Sequence, residues 1–409
     1  MELFNIGKKI IIQLKNNGHQ AFFVGGAVRD LLLKRTVHDI DIATSALPEE
    51  VSQLFKKVIP TGLKHGTVTV IVDKIPFEVT TFRKEGNYTD FRHPEQVFFV
   101  NDLEEDLGRR DFTMNAMAMD ENQQIVDPFH GQVDLNQATI RTVGNAKERF
   151  LEDPLRMLRA VRFATQLQFT IEDKTWKAMV EYASYVQNIA MERIKQEMDK
   201  ILEAKSPKIG IELLYQSHLV QWIEGLKQSA LLYVDVISIA KLMEQTENVV
   251  IRWAIWLHSI TQEEQERVMQ QLKMSKKESK QIKDVLLIAK SLKSPTTSTL
   301  KKCLITSNST ICLLALELNN LVGYIDDREK IDLTVQLKKI DSELKVRKTS
   351  DLAVSGKELA KYFELPSGPW IKKLLEQLLE EVIFDQLENE HSQLLLAAKR
   401  LKGEEEYEG

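Results

Sequence analysis

The chain has 409 residues, which at roughly 150 residues per domain predicts two to three domains. Its 55 basic and 60 acidic side chains leave a net charge of −5; this excludes a histone-like polycation but not a basic stripe that binds nucleic acid. Two cysteines, Cys303 and Cys312, with no CxxC pair, exclude a disulfide framework and a cysteine zinc site and fit a reducing cytoplasm. The N-terminal segment lacks the apolar core of a signal peptide, and no run of about 18 apolar residues is present to span a membrane.

The first 138 residues mix helices with short strand-like runs rich in Val, Ile, Phe and Thr. The first such run, Phe22-Phe-Val-Gly-Gly-Ala-Val-Arg-Asp30, passes from an apolar strand through Gly25-Gly26 into a helix. Two glycines let backbone approach a ligand closely, and a helix N-terminus favours phosphate. Arg29 adds a guanidinium fork one turn inside. The pattern is neither GxGxxG nor a Walker A loop. About a dozen residues on lies His38-Asp-Ile-Asp-Ile42. On a strand, positions i and i+2 share a face, so Asp39 and Asp41 present paired carboxylates while Ile40 and Ile42 face the core. Such a pair suits Mg²⁺ shared with substrate phosphates, and after a Gly-Gly turn it points to two-metal phosphoryl or nucleotidyl transfer. The run Thr67–Val72 predicts a further strand. The next, Phe77–Phe82, places Glu78 opposite Phe77 and Val79, which makes it the candidate third carboxylate. In Arg109-Arg-Asp-Phe-Thr-Met-Asn115, Asp111 is placed to cap a following helix, and Arg110 is the candidate phosphate contact.

From about residue 140 the apolar spacing is almost entirely helical. Strands first and helices after predict an α+β head on an all-α remainder. The most informative segment is Glu152-Asp-Pro-Leu-Arg-Met-Leu-Arg-Ala-Val-Arg-Phe163. Helical spacing winds Arg156, Arg159 and Arg162 along one stripe, opposite Met157, Leu158, Val161 and Ala164. Pro154 suits a first helical position with Asp153 as its cap. If Asp153 and Arg156 instead face a base, one accepts and the other donates. Cytosine and adenine offer an amino donor beside a ring-nitrogen acceptor; uracil and guanine offer the reverse. Such a pair therefore takes C and A and rejects U and G, with an unpaired buried group costing about 1–3 kcal/mol per wrong contact.

Further along, Lys273–Lys302 carries nine lysines against Glu278 and Asp284. They read as a solvated helix face or as a surface that tracks phosphates. Ser-Pro-Thr-Thr-Ser-Thr at 294–299 interrupts the helical pattern and predicts a domain boundary near Lys293–Thr299, Ser355-Gly-Lys-Glu358 reads as a capping box, and Gly368-Pro369 as a helix start. The glutamate-rich end, Gly403–Gly409, reads as frayed.

Taken in order, Gly25-Gly-Ala-Val-Arg-Asp30, Asp39-Ile-Asp41, Arg109-Arg-Asp-Phe-Thr-Met-Asn-Ala116, Asp127-Pro-Phe129 and Glu152-Asp-Pro-Leu-Arg-Met-Leu-Arg-Ala160 resemble the class II tRNA nucleotidyltransferases, specifically the bacterial CCA-adding enzymes. Leu352–Lys357 and Gly368-Pro-Trp370 look like the family's tail. The resemblance implies a polymerase-β-like head with a mixed sheet (1–138), a neck carrying the base-reading helix (139–202), a helical body (203–294) and a helical tail (295–409) that grips tRNA with the neck. It implies addition of C, C and A to tRNA 3′ ends from CTP and ATP, with Mg²⁺ on Asp39 and Asp41. Gly25, Gly26, Arg29 and Arg110 would bind the triphosphate region. Asp153 and Arg156 would read the base, supported by Arg159 and Arg162. Poly(A) polymerases and CC-only or A-only enzymes share the family and are the alternatives. Arg83–Pro94 looks like the loop needed for the final A, and Lys64–Thr69 looks more like the CCA-type strand than the poly(A) type. The chain departs from the family where two glycines usually follow Asp-Pro-Phe: His130 stands first, a residue that tolerates left-handed backbone better than most.

Overall fold

The protein is described here from a computed structural model, which covers residues 2–85, 97–227 and 235–405. The chain divides into two compact units, residues 1–249 with 259–274, and residues 250–258 with 275–409.

The first unit is built on a seven-stranded sheet. Its strands are β1 (Ala21–Val24), β2 (Asp41–Thr44), β3 (Val58–Gly62), β4 (Thr67–Val72), β5 (Ile75–Thr81), β8 (Ala118–Met119) and β9 (Ile125–Val126), while β6 (Arg83–Glu85) and β7 (Val97–Phe99) form a separate hairpin. The order is β3-β4-β5-β2-β1-β8-β9. β2 runs parallel to β5 and antiparallel to β1, so the sheet is mixed as expected. Strict alternation on β5 buries Phe77, Val79 and Thr81 and turns Pro76 and Glu78 outward. The residues joining β6 to β7, most of the loop expected at Arg83–Pro94, lie outside the described residues.

Helix α1 (Glu2–Asn16) places Phe4, Ile10, Ile11 and Leu14 at helical spacing, and all four are buried. Val24, Ala43, Phe82, Leu103, Leu107, Ala116, Ala118 and Val143 close a second apolar cluster, each side chain removed from water at about 25 cal/mol per Å² of apolar surface. α2 (Gly26–Leu32) follows β1 directly. α3 (Pro48–Leu54), α4 (Leu103–Gly108) and α5 (Gly131–Asn136) complete the head.

His130 does adopt the left-handed conformation, at φ 60° and ψ 32°. Asp127 secures the turn by accepting the backbone N–H groups of Gly131 (2.7 Å) and Gln132 (2.9 Å). The second position of the turn has no such tolerance. A Cβ on Gly131 would lie 2.3 Å from the Thr113 carbonyl oxygen and 2.9 Å from Met117 Cγ. Backbone cannot retreat as a side-chain tip can, so Gly131→Ala should destabilise the first unit by about 3 kcal/mol. Urea denaturation checks this; a midpoint unchanged from the parent would refute it.

A minor parallel pair, β10 (Thr139–Ile140) with β11 (Thr170–Ile171), interrupts the helical remainder of this unit. Two-residue strands leave no periodic signal in a sequence. The helices are α6 (Ala146–Glu152), α7 (Leu155–Leu167), α8 (Asp173–Glu181), α9 (Met191–Glu203), α10 (Pro207–Gln216), α11 (Val236–Met243), α12 (Val249–Leu257) and α13 (Gln262–Gln271), α12 passing into the second unit.

The second unit continues with α14 (Lys276–Ser291), α15 (Thr297–Thr306), α16 (Ser309–Leu321), α17 (Asp327–Glu343), α18 (Gly356–Tyr362), α19 (Pro369–Ile383) and α20 (His391–Glu405). Ser355 and Glu358 make the expected capping box, and α19 starts at Pro369 after Gly368. Leu374, Leu378, Leu379 and Ile383 bury one stripe of α19 against Leu359, Leu394 and Ala398. The Ser-Pro-Thr-Thr-Ser-Thr stretch is the turn between α14 and α15. The division between units falls earlier, at Met274–Ser275. α14 packs on α16 instead, where the buried Asn319 donates to the Ala289 carbonyl at 2.8 Å. Several lysines of 273–302 are satisfied on the surface of this unit: Lys280 by Asp284, Lys302 by Glu380, and Lys293 over the Tyr324 ring.

Candidate active site

One cavity of about 830 Å³ opens in the first unit, within the size range of small-molecule sites. Nine arginine or lysine side chains and four aspartates line it. The acidic chain therefore concentrates positive charge where a polyanion would sit, which raises the local concentration of such a ligand.

Gly25 and Gly26 form one wall. Gly25 has φ 70° and ψ −133°, and a Cβ there would meet Arg110 Nη1 at 2.9 Å. Only glycine both adopts this backbone and lets the guanidinium lie across it. Arg29 is buried and donates to Asn115 Oδ1 at 2.8 Å and to both Asp30 oxygens at 2.9 Å.

Asp39 and Asp41 line the same cavity. β2 begins at Asp41, so Asp39 reaches in from the segment before the strand, while Ile40 and Ile42 are buried as expected. Glu78 does not line the cavity, but β5 sets it directly beside Asp41 in the parallel register. Asp41 is exposed to the cavity, yet its walls exclude enough water to push its pKa up. The negative charges of Glu78 and Asp39 push the same way, and Arg110 opposes them. Carboxylates that repel one another in this manner are the donor set a hard divalent cation neutralises. Among the described residues no three His, Cys, Asp or Glu side chains form a complete metal cage. Two carboxylates fit Mg²⁺, which keeps several waters and borrows substrate phosphates rather than occupying an all-protein cage.

Arg109 and Arg110 both pair with the buried Asp106, at 2.8 and 3.1 Å. Burial pushes the Asp106 pKa up, but the two guanidiniums prevail and hold it below its ordinary value. Asp111 does not cap a regular helix; a short 3₁₀ turn, Thr113–Asn115, follows it. Its carboxylate accepts from the Phe112 N–H (2.8 Å), Asn115 Nδ2 (3.1 Å) and Arg159 Nε (2.7 Å).

α7 supplies the opposite wall. Met157, Leu158, Val161 and Ala164 are fully buried, but Arg156 and Arg162 are buried too, so the polar stripe faces protein and cavity rather than solvent. Arg156 donates to Glu152 (2.6 Å), to the Arg149 carbonyl (3.1 Å) and to the Arg109 carbonyl (3.0 Å). Together with the Arg159–Asp111 pair, this ties α7 to the 109–111 segment. Arg162 pairs with Glu197 of α9 at 3.2 Å and lies 4.2 Å from the Phe163 ring centre. Burial and the charge of Arg159 push Arg162 down to about 10, so it stays charged at neutral pH. Arg110 Nε and Arg162 Nε are buried without a hydrogen-bond partner, which marks them as donors an acidic ligand would satisfy. Asp153 lies at the break between α6 and α7, where its Oδ1 accepts the Leu155 N–H at 3.1 Å.

The cavity thus gathers every sequence-derived site residue except the flanking Glu78, bringing Asp39 and Asp41 together with Asp153 and Arg156. Sequence reasoning missed Arg193, which also lines it and whose isolated position on α9 carries no motif.

A mixed-sheet head with paired aspartates beside a Gly-Gly turn, leading into a helical neck, defines a nucleotidyltransferase. Residues 21–141 match the model of the poly A polymerase head domain, and residues 242–398 match that of the second domain of tRNA nucleotidyltransferases. Residues 168–228 match a model described as an RNA- and SrmB-binding site of polymerase A. The CCA-adding enzyme of Bacillus cytotoxicus is 39% identical over 95% of this chain and 96% of its own. That of Listeria innocua is 38% identical over 94% and 95%. The crystal structure of the Bacillus stearothermophilus CCA-adding enzyme in complex with CTP superposes with a TM-score of 0.84 at 33% identity, covering 99% of each chain. The chain belongs to the CCA-adding enzyme family.

Proposed function

We propose that this protein adds C, C and A to the 3′ end of tRNA without a template, using CTP and ATP and releasing pyrophosphate. The single observation that carries this reading is one basic cavity holding both the paired aspartates and the Asp153–Arg156 pair. The end-to-end similarity to CCA-adding enzymes supports it.

The tRNA 3′-hydroxyl attacks the α-phosphorus of the bound nucleotide. Asp39 and Asp41 would hold Mg²⁺, which when bound would acidify that hydroxyl and neutralise the leaving pyrophosphate. Glu78, beside Asp41, deepens the negative field that attracts the cation. Gly25 and Gly26 admit the triphosphate close to backbone, and Arg29 and Arg110 meet its charge. Asp153 accepts the exocyclic amino group of cytosine or adenine and Arg156 donates to the adjacent ring nitrogen, with Arg159 and Arg162 holding α7 in place. The head (1–138) carries the chemistry and the neck (139–202) the base-reading helix; the neck and the tail (295–409), joined by the helical body (203–294), grip the tRNA. Among the described residues no helix is long and apolar enough to cross a membrane, and both cysteines are free and buried, so a reducing cytoplasm suits the chain.

Primer extension on a tRNA ending at its discriminator base tests the reading. CTP alone should add two residues, and a single A should follow only when ATP is present. Long A tails from ATP alone would mean a poly(A) polymerase. Arrest after two C with both nucleotides present would mean a CC-only enzyme. In the same assay Asp153→Ala should raise UTP use relative to CTP about tenfold or more, since one lost contact is worth about 1–3 kcal/mol. Unchanged rejection of UTP would refute the base-reading assignment.

A further inference from the structure

Asp153 has little local support. It is the hinge residue between α6 and α7, in extended conformation (φ −140°, ψ 97°), and its own helix partner is only the Leu155 N–H. Its orientation is completed from another helix. Arg193 of α9 donates Nη2 to Asp153 Oδ2 at 2.7 Å and Nη1 to Oδ1 at 3.3 Å. The pair is largely removed from solvent, with side-chain exposures of 22% for Arg193 and 16% for Asp153.

The acceptor count makes this pairing informative. An ionised carboxylate offers about four acceptor sites. Oδ1 is filled by Leu155 and Arg193, and Oδ2 takes the second Arg193 donor. One site on Oδ2 remains, enough for one N–H of an amino group. A two-pronged guanidinium also fixes the plane of the carboxylate, which a point charge cannot do. We propose that Arg193 is a specificity-determining positioning residue: it locks the Asp153 carboxylate so that a single acceptor, in a single direction, is presented to the incoming base. Without Arg193 the carboxylate turns about its Cβ–Cγ bond and regains two acceptor sites, so it can follow the displaced N–H of uracil. This inference rests on the base-reading role of Asp153.

The test is steady-state extension of tRNA by the full-length enzyme, with kcat/KM for CTP against UTP and for ATP against GTP. The variants are Arg193→Ala, Arg193→Lys, Asp153→Ala and the double variant, each with a thermal melt. Arg193→Ala should lower the CTP/UTP ratio about tenfold, Arg193→Lys should fall between it and the parent, and the double variant should match Asp153→Ala, because the two residues act as one unit. If Asp153→Ala relaxes the ratio and Arg193→Ala leaves it unchanged, the positioning role is overturned while base reading stands. If Asp153→Ala leaves the ratio unchanged, the base-reading role itself fails. A uniform rise in KM for all four nucleotides at constant ratio would make Arg193 a phosphate contact and overturn the proposal. Should Arg193→Ala not fold, Arg193→Lys decides alone: it keeps the charge but not the fork, so an unchanged ratio overturns the proposal and a lowered one supports it.

Discussion

Asp41→Ala should reduce nucleotide addition by about 10³-fold or more, equivalent to roughly 4 kcal/mol of transition-state stabilisation, while leaving tRNA affinity nearly unchanged. Asp41 stands where β2 emerges beside β5, level with Glu78 and adjacent to Asp39. Its charge is unfavourable in the free protein: exclusion of water and the two neighbouring carboxylates all push its pKa up. A carboxylate held in that condition adds nothing to folding stability through its charge. The variant should therefore unfold no earlier than the parent, which separates a catalytic loss from a structural one. Single-turnover addition of C, together with a filter-binding measurement of tRNA and a melt, checks all three parts. Activity within tenfold of the parent would sink the assignment of the carboxylate pair.

A large loss of stability, and one that depends on pH, is expected at Asp111. Burial alone would raise its pKa, but the charge of Arg159 and hydrogen bonds from Asn115 and Arg159 prevail, lowering it from 3.8 to about 2. A depressed carboxylate contributes stability that is fully present above the unfolded value near pH 4 and is lost as pH falls toward 2. Its size is roughly 2 kcal/mol by linkage. Asp111→Ala does more than remove that contribution, because it leaves Arg159 without its partner in a site where water is scarce. The cost should be about 3 kcal/mol at neutral pH, near the lower end for a broken buried pair because Arg159 keeps a third of its side chain exposed. Urea denaturation between pH 7 and pH 3 measures both effects. The parent should lose stability below pH 4 more steeply than Asp111→Asn, and the double variant lacking Asp111 and Arg159 should be less damaged than the separate losses add up to. An Asp111→Ala midpoint equal to the parent's would contradict the role given to this pair.

These two residues differ in how they could be found. Asp41 was visible in the sequence because its neighbour at i−2 and the preceding glycines form a local pattern, and local spacing determines which side chains share a face. The same holds for Glu78, whose outward orientation follows from the alternation along β5, and for His130, whose tolerance of left-handed backbone suits the turn it occupies. Asp111 shows only a capping role in the sequence because its partner lies 48 positions away, on α7. Arg193 has no local signature at all, and its partner Asp153 is 40 positions distant.

The sequence by itself determined the α+β head on a helical remainder, the membership in a nucleotidyltransferase family and the residues of the two chemical motifs. All of these are written in short-range periodicity and in ordered blocks of neighbouring residues. The tertiary structure alone decided which arginines hold carboxylates and which keep donors for a ligand, that Glu78 stands level with Asp41, and that α9 orients Asp153. Ion pairs and strand register join residues tens of positions apart, and only the packing of helices and strands brings such groups within the three-ångström range where a hydrogen bond selects its partner.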